Sequence, residues 1–282
     1  MKNSTFSHIL WTLRGNPVTA FAAVGLCVLA CLAIFSAGIM PYDPIVSDVP
    51  NAMQGPSWAH WAGTDQLGRD VLSRTIAATR LDFLIALSAV ALSFVVGAVV
   101  GSICGFLGGW LDRAVGRFVD VLMAFPLFVL AMALVAAMGN RLENIVIATA
   151  FINLPFYIRF ARAEVNVRRN AGWVESARIC GAGTWATVLK FLLPNILPAM
   201  AVQLSLNLGW AILNAAGLSF IGLGVQAPTP EWGIMVAEGA RFISNGDWWL
   251  VVMPGSFLVV TVLFFNLLGD GLRDILDPRM RT

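Results

Sequence analysis

The 282-residue chain has the composition of a membrane protein: 58% of its residues are hydrophobic, 12% are charged, and its mean hydropathy is +0.79. The net charge of +2 does not point to a nucleic-acid partner, because the bias in sign runs across the membrane. The four cysteines, three of them inside apolar stretches, predict neither a disulfide framework nor a thiolate metal cluster.

Six stretches without Asp, Glu, Lys or Arg predict an all-α membrane protein with six transmembrane helices, since a helix needs roughly 20 mainly apolar residues to cross the hydrocarbon core. The stretches are 17–42, 83–111, 121–140, 144–158, one within 191–230, and 248–269. The fourth is short and reaches full length only if it includes Arg159 and Arg162, whose long side chains can extend to the interface. The first is longer than the apolar region of a signal peptide and ends without a small-residue cleavage site, so we expect a retained helix.

The distribution of basic residues predicts that both termini are cytoplasmic. In that orientation most of the 18 Lys and Arg residues lie inside, and those outside are Arg69, Arg74, Arg80, Arg141 and Arg241. The chain then divides into a cytoplasmic N-terminus (1–17), a transmembrane domain (18–270) and a cytoplasmic tail (271–282), with extracytoplasmic loops at 41–82 and 222–247 and a cytoplasmic loop at 164–195.

The first extracytoplasmic loop contains a polar segment, 63–74, in which Asp65, Arg69, Asp70 and Arg74 are close in sequence. They predict local, exposed ion pairs worth at most about 1 kcal/mol each, which would shape a rigid turn before the second span. The segment also resembles the Gly-Thr-Asp-x-x-Gly-Arg-Asp signature of the dipeptide, oligopeptide and nickel permease family. The matching positions are Gly63, Thr64, Asp65, Gly68, Arg69 and Asp70.

Glycines recur every fourth residue along the second span and predict close packing against a neighbouring helix. They are Gly97, Gly101, Gly105 and Gly109. Asp120, an acid near the interior of the third span, is expected to pair with Arg117 or Arg113. Prolines at 126, 155 and 254 predict bends in the third, fourth and sixth spans.

The cytoplasmic loop predicts a short amphipathic helix over 173–180, with Glu175 in its first turn and Gly181 and Gly183 as stop signals. Without further information it could be an interfacial helix lying on lipid headgroups. Its spacing, however, resembles the EAA loop by which bacterial ATP-binding-cassette (ABC) import permeases contact their ATPases. The matching positions are Glu175, Ser176, Ala177, Gly181, Leu193 and Pro194, while Ser176 itself and Phe191 depart from the strict pattern.

The fifth span carries Gln203, Asn207 and Asn214 within about 40° of one another on a helix. This polar face could line an aqueous pathway or could hydrogen-bond to neighbouring helices. The loop after it holds Glu231 and Trp232 in a proline-rich turn, which could be an exposed docking rim for an extracytoplasmic partner or a stiff connector.

Several chemistries have no support in the sequence. There is no Gly-x-x-x-x-Gly-Lys-Ser/Thr loop, so the chain is not its own ATPase. His8 and His60 are the only histidines and lack zinc-ligand spacing, so we expect no metal site and no catalysis. An ion-coupled secondary transporter would need a charged residue inside a span, and the central parts of the predicted spans lack one.

Together with the tail at 266–279, the two motifs extend the resemblance over nearly the whole chain. The resemblance implies a second permease subunit with the type I ABC importer fold in a bacterial inner membrane. It also implies a homologous first permease, two cytoplasmic ATPases that bind ATP and Mg²⁺, and an extracytoplasmic substrate-binding protein. This chain itself would bind no cofactor. Short peptides are the expected cargo, with nickel chelates, glutathione or opines as alternatives.

Overall fold

The computed structural model describes residues 16–276, and these residues are helical with connecting turns. The predicted all-α fold is confirmed. The helices are α1 (Pro17–Ile39), α2 (Val71–Leu107), α3 (Gly109–Ala124), α4 (Leu127–Met138), α5 (Leu142–Arg168), α6 (Gly172–Ile179), α7 (Thr184–Phe220), α8 (Trp232–Ala240) and α9 (Trp249–Leu276). Most of the predicted N-terminal segment 1–17 and the end of the tail 271–282 lie outside the described residues.

Five of these helices, α1, α2, α5, α7 and α9, are long and apolar enough to cross a membrane. The third predicted span does not form one helix. Phe125, which precedes Pro126, is extended (φ −85°, ψ 147°), as a residue before proline prefers, and the axes of α3 and α4 differ by 92°. The predicted bend at Pro126 is therefore a complete break in the helix. Pro155 and Pro254, by contrast, both lie inside continuous helices. Counting the broken pair α3–α4 as one crossing gives six spans.

Helix α2 begins well before its charge-free stretch. The Asp70 side chain caps it by accepting a hydrogen bond from the backbone N–H of Ser73 at 2.7 Å. The charged residues of its first turns are buried against other parts of the chain, which is why they do not delay the helix. It ends at Leu107, because Gly108 and Gly109 both adopt positive φ angles of 63° and 66°.

The glycine row packs α2 against α5, as predicted, through three of its four members. A Cβ atom added at Gly101 would lie 2.5 Å from the carbonyl oxygen of Ile158, and one at Gly105 would lie 2.8 Å from that of Arg162. Gly97 meets Tyr157 in the same way. Gly109 falls outside α2, and a Cβ atom added there would have no atom within 4 Å, so it does not belong to the interface.

Helix α5 has 27 residues and includes Arg159 and Arg162, as we predicted for a fourth span of full length. Its C-terminal half is bound to α3. Arg162 forms a bidentate pair with Asp112 at 2.5 and 2.7 Å, and Arg159 contacts Asp120 at 2.6 Å. The predicted partner of Asp120 on its own helix was wrong, since α5 provides the guanidinium instead.

Candidate functional site

The loop between α5 and α7 contains the short helix that the sequence predicts, α6, with bounds that differ by one residue at each end. Helix α6 is followed by Gly181 at φ +89°, and the backbone N–H groups of Gly181 and Ala182 donate to the carbonyls of Arg178 and Ala177 at 3.0 Å. A left-handed residue that closes the last turn in this way is the usual role of glycine after a helix. The Ser176 hydroxyl donates to the carbonyl of Gly172 at 2.8 Å and so remains within the helix.

One side chain anchors α6 to the rest of the protein. Val174 is completely buried and belongs to the same apolar cluster as Leu192 and Ile196 of α7. The opposite face is open: Glu175 and Ser176 are exposed, and Ala177 is half-buried. A short helix of this kind is held from one side and leaves its other side exposed.

Two large apolar side chains next to this open face are also exposed. Ile179 is 86% exposed at the end of α6, and Trp185 is 63% exposed at the start of α7. Apolar side chains of this size, gathered at a polar end of a protein, commonly mark a contact surface for another protein. We call Glu175, Ser176, Ile179 and Trp185 the coupling surface.

The coupling surface is connected directly to two spanning helices. Helix α5 ends at Arg168, just before α6, and α7 follows after a short turn. The first part of α7, Thr187–Leu192, is a π-helical stretch, after which the chain continues through Leu193 and the exposed Pro194 into the span. Only a few non-helical residues therefore separate α6 from α5 and from α7.

The polar residues of the fifth span point mainly into the protein. Asn207 and Asn214 are 6% and 4% exposed. The Gln203 side-chain amide donates to the side-chain carbonyl oxygen of Asn207 at 3.0 Å. The Asn214 side-chain amide donates instead to the backbone carbonyl of Trp210 at 2.8 Å. The structure thus brings Gln203 and Asn207 together, next to the buried Tyr157 hydroxyl of α5, and leaves Asn214 apart.

On the opposite side of the protein, the Gly-Thr-Asp segment forms a closed turn. The Thr64 hydroxyl donates to the carbonyl of Asn51 at 2.6 Å, and Gly63 and Gly68 take positive φ angles of 71° and 76°. Asp65 accepts hydrogen bonds from the backbone N–H groups of Leu67 and Arg69 at 2.9 and 3.0 Å. The signature residues therefore build the turn with their own side chains.

The charged residues of this turn are buried, not exposed as expected. Arg69 and Arg74 are each 2% exposed, and both contact Asp65, at 2.7 and 3.5 Å respectively. Glu238 of α8 lies 3.7 Å from each guanidinium group. Asp70 pairs separately with His60 at 2.9 Å. We call Asp65, Arg69, Arg74 and Glu238 the Arg74 cluster. This cluster joins the turn and α2 to the C-terminal half of α8.

The expected exposed docking rim is also contradicted, because Glu231 and Trp232 are both fully buried. Glu231 caps α8 by accepting hydrogen bonds from the N–H groups of Gly233 and Ile234 at 2.9 and 2.8 Å. The Trp232 indole donates to the carbonyl of Thr75 at 3.0 Å. This turn is therefore an internal contact that fixes α8 on α2.

Asp82 of α2 is a buried acid that the sequence interpretation left in a loop. Its Oδ2 accepts a hydrogen bond from the backbone N–H of Trp232 at 3.2 Å. Thr75, Thr79 and Asp82 follow one another at spacings of four and three residues, which places them on one face of a helix. That polar stripe indicates that this face of α2 meets polar groups, but it does not identify α8 as the segment that supplies them.

Within residues 16–276 there is no cluster of three or more His, Cys, Asp or Glu side chains arranged to hold a metal ion. The cysteines in this part of the chain are free, and three of them, Cys27, Cys31 and Cys180, are exposed.

The arrangement of spanning helices, with a short helix between two of them at one end and a folded turn at the other, agrees with a comparison to known families. The model described as "Binding-protein-dependent transport system inner membrane component" matches residues 97–282, more than half of the chain. The chain belongs to this family. As a member of it, the protein is a multi-pass component of a bacterial inner membrane, and the family resemblance predicted from the two motifs is confirmed.

Individual relatives cover almost the whole chain. The probable D,D-dipeptide transport system permease protein of Escherichia coli K12 is 41% identical over 97% of this chain and 91% of its own length. The di/tripeptide transport system permease protein of Pseudomonas aeruginosa is 42% identical over 91% of this chain and 86% of its own. The glutathione transport system permease protein of Pectobacterium atrosepticum is 40% identical over 92% and 87%. This member of the inner membrane component family is thus a permease subunit.

Proposed function

We propose that this chain is one permease half of an ATP-driven importer that carries dipeptides or short oligopeptides. The observation that supports this best is helix α6, held by the single buried side chain of Val174 and open on its other face, between the cytoplasmic ends of α5 and α7. The peptide cargo is inferred from relatives whose names include dipeptide and di/tripeptide transport.

Other cargo remains an alternative within the same mechanism. Relatives about 40% identical are glutathione permeases, and glutathione is itself a small peptide. Nickel chelates and opines are further candidates by family resemblance. Selection among these solutes would rest largely with a separate binding protein, which delivers the solute to the extracytoplasmic side.

The partners follow from what this chain does not carry. Its spans form only one lobe of a two-lobed pathway, so we infer a homologous first permease as the other half of a heterodimer. Since the sequence has no phosphate-binding loop, two cytoplasmic ATPase subunits would bind ATP and Mg²⁺ and provide the free energy. An extracytoplasmic binding protein completes the assembly.

In this mechanism α6 fits into a groove of one ATPase. Glu175, Ser176, Ala177 and Gly181 make or shape the contact, and the exposed Ile179 and Trp185 add apolar area to it. When ATP closes the ATPase dimer, α6 moves with its ATPase, and Leu193 and Pro194 pass the movement into α7. The bundle then has two shapes that ATP favours differently, which is the physical requirement for alternating access.

The pathway residues would change their environment during this movement. Gln203 is partly exposed, whereas Asn207 and Asn214 are buried in the conformation described. We propose that the displacement of α7 relative to α5 opens this polar face to the translocated solute. The Gly63–Asp70 turn and α8 would form the rigid extracytoplasmic frame against which α7 moves.

Co-purification from the native membrane in mild detergent tests this proposal. We expect a second permease and two ATPase subunits to be recovered with the chain. The variant Glu175→Lys should reduce recovery of the ATPases and ATP-driven uptake, while the matched control Asp274→Lys, another exposed acid predicted to be cytoplasmic, should retain both. Recovery of the chain alone, with uptake driven by an ion gradient, would instead support a secondary transporter.

A further inference from the structure

Two carboxyl groups meet at the N-terminus of α8, away from the coupling surface. Asp82 of α2 is 2% exposed and Glu231 is 0% exposed, and Asp82 accepts a hydrogen bond at 3.2 Å from the backbone N–H of Trp232, the residue that follows Glu231. Two ionised carboxylates accept hydrogen bonds but cannot donate them. A direct hydrogen bond between them therefore requires a proton on one of the two.

The surroundings of the pair supply no cation that could neutralise two negative charges. In the part of the chain that the structure describes, Arg74 lies roughly 12 Å earlier along α2 and contacts Asp65 and two backbone carbonyls, and Arg80 is exposed. Glu238 is the other charged group of α8 and adds a further negative charge.

The hydrogen bonds distinguish the two acids. Both oxygens of Glu231 accept backbone N–H groups, which is the environment of an ionised helix cap. Asp82 accepts one N–H through Oδ2, and no donor contacts its buried Oδ1 within the described residues. A buried, unpaired carboxyl oxygen is costly unless it carries a proton and acts as the donor.

We propose that Asp82 and Glu231 form a proton-binding site. Asp82 carries the proton and donates a hydrogen bond to the Glu231 carboxylate, which holds α8 against α2. Removal of the proton leaves two adjacent negative charges in a site that excludes water, and their repulsion separates the two helices. This site goes beyond the proposed transport function and does not depend on the nature of the cargo. It makes the extracytoplasmic cap sensitive to alkaline pH.

Infrared spectroscopy of the purified full-length transporter tests the site, since a protonated carboxyl group has a carbonyl stretch that an ionised carboxylate lacks. We expect the wild type to show this band at neutral pH and to lose it as the pH rises. The variant Asp82→Asn, which keeps an N–H donor in place of the proton, should lack the band and fold normally. The exposed control Asp274→Asn should keep the band.

Thermal unfolding in the same preparations separates the two acids. Because folding takes up one proton at this site, the wild-type folding equilibrium should weaken about tenfold for each pH unit above neutrality until the pair ionises. Asp82→Asn should flatten that dependence. Glu231→Gln should unfold at a lower temperature than Asp82→Asn at neutral pH, because its amide nitrogen cannot accept a backbone N–H.

Three results would overturn the inference. The first is the absence of a protonated carboxyl band from the wild type at neutral pH, a measurement that needs no variant. The second is a band that persists in Asp82→Asn and disappears in Glu231→Gln, which would place the proton on the other acid. The third is stabilisation of the wild type, at constant pH, by Na⁺ or K⁺ but not by choline, together with no such stabilisation of Asp82→Asn. That result would indicate a metal cation in place of the proton.

Discussion

Replacing Gly101 with alanine tests the close approach of α2 and α5. The new Cβ atom would lie 2.5 Å from the carbonyl oxygen of Ile158 and 2.9 Å from the Cβ atom of Ala161. Ordinary contact begins at 3.4 Å, so α5 would have to retreat by roughly 0.9 Å along a rigid, packed helix. Overpacking of this kind costs about 1–3 kcal/mol, and the preference of a helix for alanine over glycine offsets about 1 kcal/mol of it, so we expect Gly101→Ala to destabilise the protein by up to about 2 kcal/mol.

The matched control is Gly255→Ala. Gly255 lies inside α9, has no atom within 4 Å of an added Cβ, and does not take a positive φ angle. Alanine is favoured over glycine in a helix by about 1 kcal/mol, so this variant should be neutral or slightly more stable. Thermal unfolding in a single detergent measures both variants. Equal stability of the two would refute the packing of α2 on α5 through this glycine row.

Three further predictions concern the buried charges and the anchor of α6. Arg74→Ala leaves Arg69 as the one guanidinium group shared by the buried Asp65 and Glu238 and should lower the free energy of unfolding by about 1–3 kcal/mol, while Arg80→Ala, at an exposed position, should leave thermal stability nearly unchanged. Val174→Ala opens a cavity under α6 and should lower ATP-driven uptake. The control Val167→Ala, at a side chain that is 80% exposed, should lower uptake less. Equal uptake by the two variants would contradict the anchoring role of Val174. Burial raises the pKa of Glu231 despite the hydrogen bonds that it accepts, so the single proton of the Asp82–Glu231 pair contributes stability that is complete below the ordinary value of 4.5 and is lost as the pH rises through the higher folded-state pKa. An unfolding temperature that rises with pH above 4.5 in the wild type, and rises less in Glu231→Gln, would contradict this prediction.

The sequence predicted the long helices well because each is marked by a charge-free stretch of membrane-spanning length. It missed the break between α3 and α4, since apolar residues continue through Pro126 and composition does not record a change of direction. It also placed the start of α2 too late. Charged residues near the beginning of a span were taken to lie in water, whereas in the structure other parts of the chain bury them.

The coupling surface was largely predictable, because the signals of α6 are local: an acid in the first turn, one apolar face and a terminal glycine. Its two exposed apolar residues, Ile179 and Trp185, depend on which neighbours cover them and were not predicted. The Arg74 cluster and the Asp82–Glu231 pair join segments far apart in the chain. Asp65 and Glu238, or Asp82 and Glu231, give no sign of their proximity when the sequence is taken one segment at a time.

The coupling of transport to ATP is the central claim, and uptake into proteoliposomes tests it most directly. The purified transporter would be reconstituted with its binding protein and labelled dipeptide, with ATP enclosed on the side of the ATPases and ionophores present to collapse all ion gradients. The account predicts accumulation of peptide that stops without ATP and that falls strongly when the reconstituted chain carries Glu175→Lys. Uptake that persists without ATP, or that requires an ion gradient, would contradict it.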